Sequence, residues 1–205
     1  MRKQNIPTIL MIVSCFYLQC SLLSKPHQKK EPKVLIIKAA GYLEGHKPQG
    51  PDAITEATSI GRNVHVVCRA LVDELEKLEV RANIINFNEM NQFDAKPSES
   101  VDLIIFAGPA YSSRFPKQLQ DVVPMLKDLI TSKNILCTSM TTCRFLNSGG
   151  VTVRTFNEQL EEKGIQTMDG LVIHHEYEDK EWEKKVHLFA GRIKRSIQEK
   201  CEEAL

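Results

Sequence analysis

Several things are missing from this sequence of 205 residues, and each absence removes a class of function. Net charge is one: 27 Lys and Arg stand against 26 Asp and Glu, leaving +1, so no overall field draws in a nucleic acid or any other polyanion. Paired cysteines are another. Cys15, Cys20, Cys68, Cys137, Cys143 and Cys201 are scattered and form no C-x-x-C pair, which removes a zinc site and a dense disulfide framework and leaves most of them to act as small buried hydrophobes. No G-x-G-x-x-G marks a separate nicotinamide fold, and there is no internal repeat. What remains is an ordinary globular composition, 42% hydrophobic and 26% charged. It suffices for one domain with a well-buried core, once an N-terminal segment is set aside.

That segment covers residues 1–23. Arg2 and Lys3 precede the apolar run Ile6 to Val13, then Ser14 and Cys15, which is the order of a secretory signal. Ile12-Val13-Ser14-Cys15 also resembles a bacterial lipobox, in which the cysteine thiol is diacylated, so Cys15 is the candidate lipidation site of an exported lipoprotein. Phe16 to Leu23 prolong the apolar stretch to roughly 18–20 residues, the length of an uncleaved anchor. Lipoprotein, anchor and cleaved signal all stay open, and the first two make the membrane a partner. Residues 24–32, charged and punctuated by Pro26 and Pro32, read as a tether. The domain is expected over 33–205.

Within it, apolar runs alternate with helical periodicity. Val34 to Ile37 is a short, continuously apolar strand. Val64, Val67, Cys68, Leu71, Leu75 and Leu78 then recur at helical spacing. Further strands are expected at Ala82 to Phe87, Val101 to Ala107, Asn134 to Thr138 and Gly170 to His174. Further helices are expected from Leu119 to Ile130, kinked or split at Pro124, from Gly150 to Lys163 with a left-handed cap at Gly164, and from Glu181 to Cys201. Five apolar strands alternating with helices predict an α/β fold: a doubly wound, five-stranded parallel sheet with helices on both faces. Its ligand site lies beyond the carboxyl ends of the strands.

Three loops fall at that end. After the third strand comes Gly108-Pro109-Ala110-Tyr111-Ser112-Ser113-Arg114-Phe115-Pro116, turn residues combined with an aromatic ring and hydroxyls. With Asp102 to Phe106 before it, this run resembles the flavodoxin family, where an Asp-apolar strand leads into a Gly-(Ser/Pro)-Pro-x-Tyr loop against the flavin ring. Ser139, Met140, Thr141, Thr142 and Cys143, followed by Asn147 to Thr152, look like the family's other ring-flanking loop. Thr58 to Val64 is the nearest counterpart of its phosphate loop, with Val64 in place of the last hydroxyl and an extra stretch, Ala39 to Ala57, before it. The resemblance covers nearly the whole domain. It implies strand order 2-1-3-4-5 and FMN as cofactor, with Tyr111 stacking on the ring. Ser59, Gly61, Arg62 and Asn63 would hold the phosphate, and the backbones of Pro109, Ala110, Tyr111, Ser112, Ser113 and Arg114 and of Ser139 to Cys143 would lie at the ring edge.

FMN would carry the redox chemistry itself. The protein is then either an electron carrier with a redox partner protein, or an NAD(P)H-linked oxidoreductase of a quinone-like small acceptor, for which a homodimer stays open. Tyr42, Glu44, His46 and Lys47 of the extra stretch would face the same site. Two readings from other classes compete: a flavodoxin-like domain that serves as a binding module without cofactor, and a hydrolase using Cys137 or Cys143 with His174 or His175. The second lacks the Gly-x-Cys-x-Gly elbow of a strained nucleophile.

Overall fold

Val34 to Ile37 are apolar at every position because their strand is covered on both faces: Val34 and Ile36 join one core cluster, Leu35 and Ile37 the other. This is β1, Lys33–Lys38. The structure is a computed structural model. It describes residues 31–39, 51–87, 101–110, 113–143, 146–174 and 181–203, and their side chains except for 51–63 and 146. The chain continues through α1 (Pro51–Lys77), β2 (Arg81–Asn86), β3 (Leu103–Pro109), α2 (Lys117–Ser132), β4 (Leu136–Cys143), α3 (Leu146–Glu161), β5 (Leu171–His174) and α4 (Glu181–Glu203). All strand pairs are parallel and the order is β2-β1-β3-β4-β5. The expected architecture is the observed one.

The two faces divide the side chains by strand alternation. Leu103, Ile105 and Ala107 of β3 turn toward α1 and α4, packing with Leu71, Leu75, Phe189 and Ile193. Ile104 and Phe106 turn toward α2 and α3, where Phe156 meets Phe106 edge-on at 5.4 Å. Residues Pro32–Leu205 form one compact unit.

Three helices end in the same way. Behind α1, Val80 N–H reaches Leu75 O and Glu79 N–H reaches Glu76 O, both at 3.0 Å. Behind α2 the pairs are Ile135 to Ile130 O at 2.9 Å and Asn134 to Thr131 O at 3.2 Å; behind α3 they are Ile165 to Leu160 O at 3.1 Å and Gly164 to Glu161 O at 2.8 Å. Each is a Schellman turn, with one residue at positive φ followed by a buried apolar residue. Glu79, Asn134 and Gly164 take φ of 60°, 49° and 76°, and Val80, Ile135 and Ile165 are buried. Gly164 is the left-handed cap expected from its sequence.

Several elements differ from the sequence reading: α3 opens at Leu146 rather than Gly150, so Asn147 to Thr152 are helical, and β3 runs to Pro109 rather than Ala107. α2 runs through Pro124 without splitting, since burial of Leu119, Val122, Val123 and Ile130 on one stripe offsets the one lost backbone bond. β4 continues five residues past Thr138, because its hydroxyls find partners inside the fold. Thr138 Oγ1 donates to Met168 O at 3.1 Å, Ser139 Oγ to Asn157 Oδ1 at 2.7 Å and Thr141 Oγ1 to Gly108 O at 2.8 Å. And α1 begins at Pro51, ahead of the phosphate loop expected over Thr58 to Val64. Pro51-Asp52-Ala53-Ile54 is a helix opening in its own right, with Pro at the first position, an acid in the first turn and good formers behind.

Candidate functional site

The order reverses between β1 and β3, so the crevice between their carboxyl ends is the topological switch point. The elements around it position four groups.

The loop after β3 is held at both ends. Pro109 is the last residue of the buried strand, and Ala110 N–H donates to Thr142 O at 2.9 Å. At the far end Phe115 is buried against Phe156, ring centroids 4.8 Å apart, and Gln120 Nε2 donates to Phe115 O at 3.0 Å. Between them Ser113 stands at φ 64°, where a residue with a Cβ pays about 1 kcal/mol. That conformation aims its N–H at Ser148 Oγ, 3.1 Å away in the first turn of α3, and brings the two hydroxyls to 3.3 Å. Arg114 is exposed. Tyr111 and Ser112 lie outside the described residues, as do Tyr42, Glu44, His46, Lys47, Cys15 and the rest of the N-terminal segment.

Ser139 to Cys143, expected as a loop, are strand. Met140 to Cys143 sit in the ladder with β5 and all but Cys143 also with β3, so these backbones are largely engaged within the sheet and the loop itself begins beyond Cys143. The Gly pair behind it is not symmetrical. A Cβ on Gly149 would lie 2.5 Å from both Cys143 Sγ and Val172 Cγ1, whereas one on Gly150 meets nothing within 4 Å. Gly149 is what lets α3 start so close to the sheet.

Ser59, Gly61, Arg62 and Asn63 lie on the helical backbone of α1. Amides inside a helix are spent on carbonyls four residues back, so the free amides of α1 belong to its first turn, at Asp52 to Ile54, rather than to the expected phosphate loop.

Two further features were not anticipated. In the first turn of α2, Gln118 Oε1 is buried with no hydrogen-bond partner among the described residues, a costly state for an amide oxygen. And Lys38, the last residue of β1, places Nζ 3.2 Å from Nδ1 of His65 on α1. Burial first, then the charges of Lys38 and Arg69, hold His65 below the ordinary imidazole range. The signal for this cluster was present in the sequence, as a lysine closing an apolar strand and a His/Arg pair four residues apart on one helix. Only the fold brings them together.

No protein-family model matches the chain, and no curated protein does. Similarity is found among solved structures. A flavodoxin from Streptococcus pneumonia TIGR4 superposes with a TM-score of 0.53 at 14% identity, covering 80% of this chain and 99% of its own. The fold is that of a flavodoxin. A flavodiiron core from Synechocystis sp. PCC6803 matches at TM-score 0.55 and 18% identity over 91% of this chain and 41% of its own. Rubredoxin oxygen:oxidoreductase from Desulfovibrio gigas matches at 0.59 and 12% over 84% and 38%. The chain therefore spans about two fifths of the length of these last two.

In this flavodoxin-like domain Cys137 and Cys143 are poor nucleophiles. Burial pushes the Cys137 thiol up to about 12 and raises that of Cys143, so the thiolate is scarce at neutral pH. Among the described residues no three His, Cys, Asp or Glu side chains gather in a way that could hold a metal ion, and no helix is long and apolar enough to cross a membrane.

Proposed function

We propose that the flavodoxin-like domain binds FMN non-covalently at the carboxyl ends of β1, β3 and β4 and serves in electron transfer. The observation that carries this reading is Gln118. A buried amide oxygen without a partner among the described residues, one turn beyond the loop that would face the ring, is open to a donor, and the ring N–H of a flavin is such a donor. The loop from Ala110 to Phe115, fixed at both ends, would supply the ring platform together with Tyr111. Ser113 and Ser148 would lie at its rim. When bound, FMN supplies one- and two-electron redox chemistry, and the chain contributes binding, orientation and exclusion of water. The electron donor is then a redox protein or NAD(P)H, and a quinone-like acceptor is the natural small-molecule assay. The N-terminal segment would hold the domain at a membrane through a lipid on Cys15, with residues 24–32 as tether; the mass of the mature chain, compared with that of Cys15→Ala, tests this directly.

The decisive experiment adds FMN to the purified full chain in detergent and records flavin absorption and fluorescence after unbound ligand is removed. A retained yellow complex with quenched fluorescence, weakened at least tenfold by Tyr111→Ala, is the expected result. A folded protein that retains no FMN would overturn the redox reading. It would favour the binding module without cofactor, a reading to which the uninterrupted helix over 58–63 lends weight.

A further inference from the structure

Lys38 shares the α1-facing side of β1 with Val34 and Ile36, and its stem runs out between the sheet and α1. An ammonium group has only hydrogens to offer, so Nδ1 of His65 must be the acceptor of the 3.2 Å contact. That fixes the ring as the neutral tautomer with its N–H on Nε2, free to donate elsewhere. Arg69 lies one turn along α1 on the same face and its charge reaches His65. Of the described residues, no carboxylate pairs with any of the three. Glu74 is engaged by Lys77 and His187, Asp169 by Arg192, and Asp73, one turn beyond Arg69, acts on Lys77. In register Lys38 sits opposite Asn86 and Ala107, at the edge of the switch-point crevice. Two N–H bonds of an ammonium and one imidazole N–H thus meet at the ligand end of the sheet, with the Arg69 guanidinium one turn further along α1 and its charge felt at His65, without a matching negative charge among the described residues.

We propose that Lys38, His65 and Arg69 form a cationic receptor for a phosphate group, serving in place of the backbone-amide loop that the helical course of residues 58–63 leaves unformed. The inference rests on reading the carboxyl end as the ligand site, and it has two sources of the same chemistry: the terminal phosphate of FMN, or the pyrophosphate of a nicotinamide dinucleotide that reduces the flavin. Side-chain cations bind a dianion by charge-assisted hydrogen bonds. A neutral amide loop does so through dipoles alone.

The test follows the imidazole signals of His65 by NMR in the full chain labelled at histidine, assigned by their loss in His65→Gln. Titration with inorganic phosphate is expected to shift them saturably, while chloride at equal ionic strength leaves them in place, and the phosphate response should disappear in Lys38→Gln and weaken in Arg69→Gln. Arg69 is exposed, so its variant folds even if the Lys38 change disturbs packing. FMN and riboflavin then separate the sources. If FMN moves the His65 signals and riboflavin does not, the flavin phosphate is the ligand, and the preference for FMN over riboflavin should fall about tenfold with each cation removed. If NADPH moves them and FMN does not, the dinucleotide is. Identical shifts in phosphate and chloride would overturn the proposal, whether or not the protein binds FMN. Failure to bind flavin with a preserved phosphate response would overturn only the redox reading.

Discussion

The two ends of the sheet are built by opposite rules. At the amino end the entries of β1 to β4 are stitched: Arg81 N–H to Pro32 O, Asp102 N–H to Lys33 O and Lys33 N–H to Asp102 Oδ2, all at 2.9 Å, and Leu136 N–H to Asp102 O at 3.2 Å. Three helices deliver the chain there through the same Schellman turn, each closed by a buried aliphatic residue. At the carboxyl end the described residues include a buried amide oxygen without a partner, two basic groups in contact with each other, and Ser113 held at positive φ by a single hydroxyl. The amino end carries costs of its own, with Glu79 and Asn134 at positive φ and Lys200 Nζ, in the field of Asp102, buried without a partner among the described residues. The difference is that its strand entries are tied together by backbone bonds, whereas Gln118, Lys38 and His65 stand where a ligand would approach.

The largest effect that sharpens this contrast is expected at Gly170, where the chain enters β5. A Cβ there would stand 2.4 Å from Ser139 O and 2.5 Å from Val153 Cγ1, and a backbone oxygen has little room to yield. Gly170→Ala should cost about 3 kcal/mol, read as a lowered urea midpoint at constant slope. Asp102→Ala removes the acceptor of Lys33 N–H and should cost about 1–2 kcal/mol, while FMN affinity stays unchanged. A change in flavin affinity from this distant end would break the division between the two ends.

How far the sequence reveals this molecule follows the same division. The five strands, the two covered faces and the Gly164 cap rest on apolar periodicity and one glycine, which are local signals, whereas the strand order is what the resemblance to flavodoxins implies. The length of β4 is not legible, because Ser139 and Thr141 read as loop until their hydroxyls are seen to be satisfied by Asn157 and by Gly108 O across the fold. The start of α1 was misplaced for a different reason. The likeness of Thr58 to Val64 to a phosphate loop outweighed the opening at Pro51, although Pro followed by Asp and Ala is itself a helix signal. At the candidate site, the turn residues that follow the third strand are legible in sequence, and Ala110 and Ser113 do follow β3. Gln118 and the Lys38/His65 contact are not, since both depend on neighbours far away in the chain.

Two substitutions, one at each end, should then stabilise the protein alike but differ in their effect on the ligand. Gln118→Met keeps volume and deletes the unpaired acceptor, so it should stabilise the protein without ligand by about 1 kcal/mol and weaken FMN binding. Stability gained with flavin affinity intact would remove Gln118 from the site. Glu79→Gly relieves a left-handed residue in the Schellman turn after α1 and should also stabilise, by about 0.5–1 kcal/mol once the greater freedom of glycine in the unfolded chain is offset. It should leave flavin binding untouched. The reverse change, Gly164→Ala, should cost a similar amount. Thermal unfolding with and without FMN separates all three.

The smallest effect is in the pH dependence, and its sign is fixed. His65 takes up a proton less readily in the folded protein than the ordinary value of 6.5, through burial and then the charges of Lys38 and Arg69. Below about pH 6.5 the unfolded chain therefore binds a proton that the folded chain refuses, and stability falls with pH until the folded-state value is passed. Glu74, held low by Lys77 and His187, contributes with the same sign only below its ordinary 4.5, so the two do not overlap near pH 6. His65→Gln should flatten the decline between neutrality and about pH 5 in urea unfolding. A bound phosphate would neutralise the field of Lys38 and Arg69 and ease protonation of His65. The same decline should therefore be shallower in phosphate buffer than in a chloride buffer of equal ionic strength, and in the His65→Gln variant the two buffers should give the same curve.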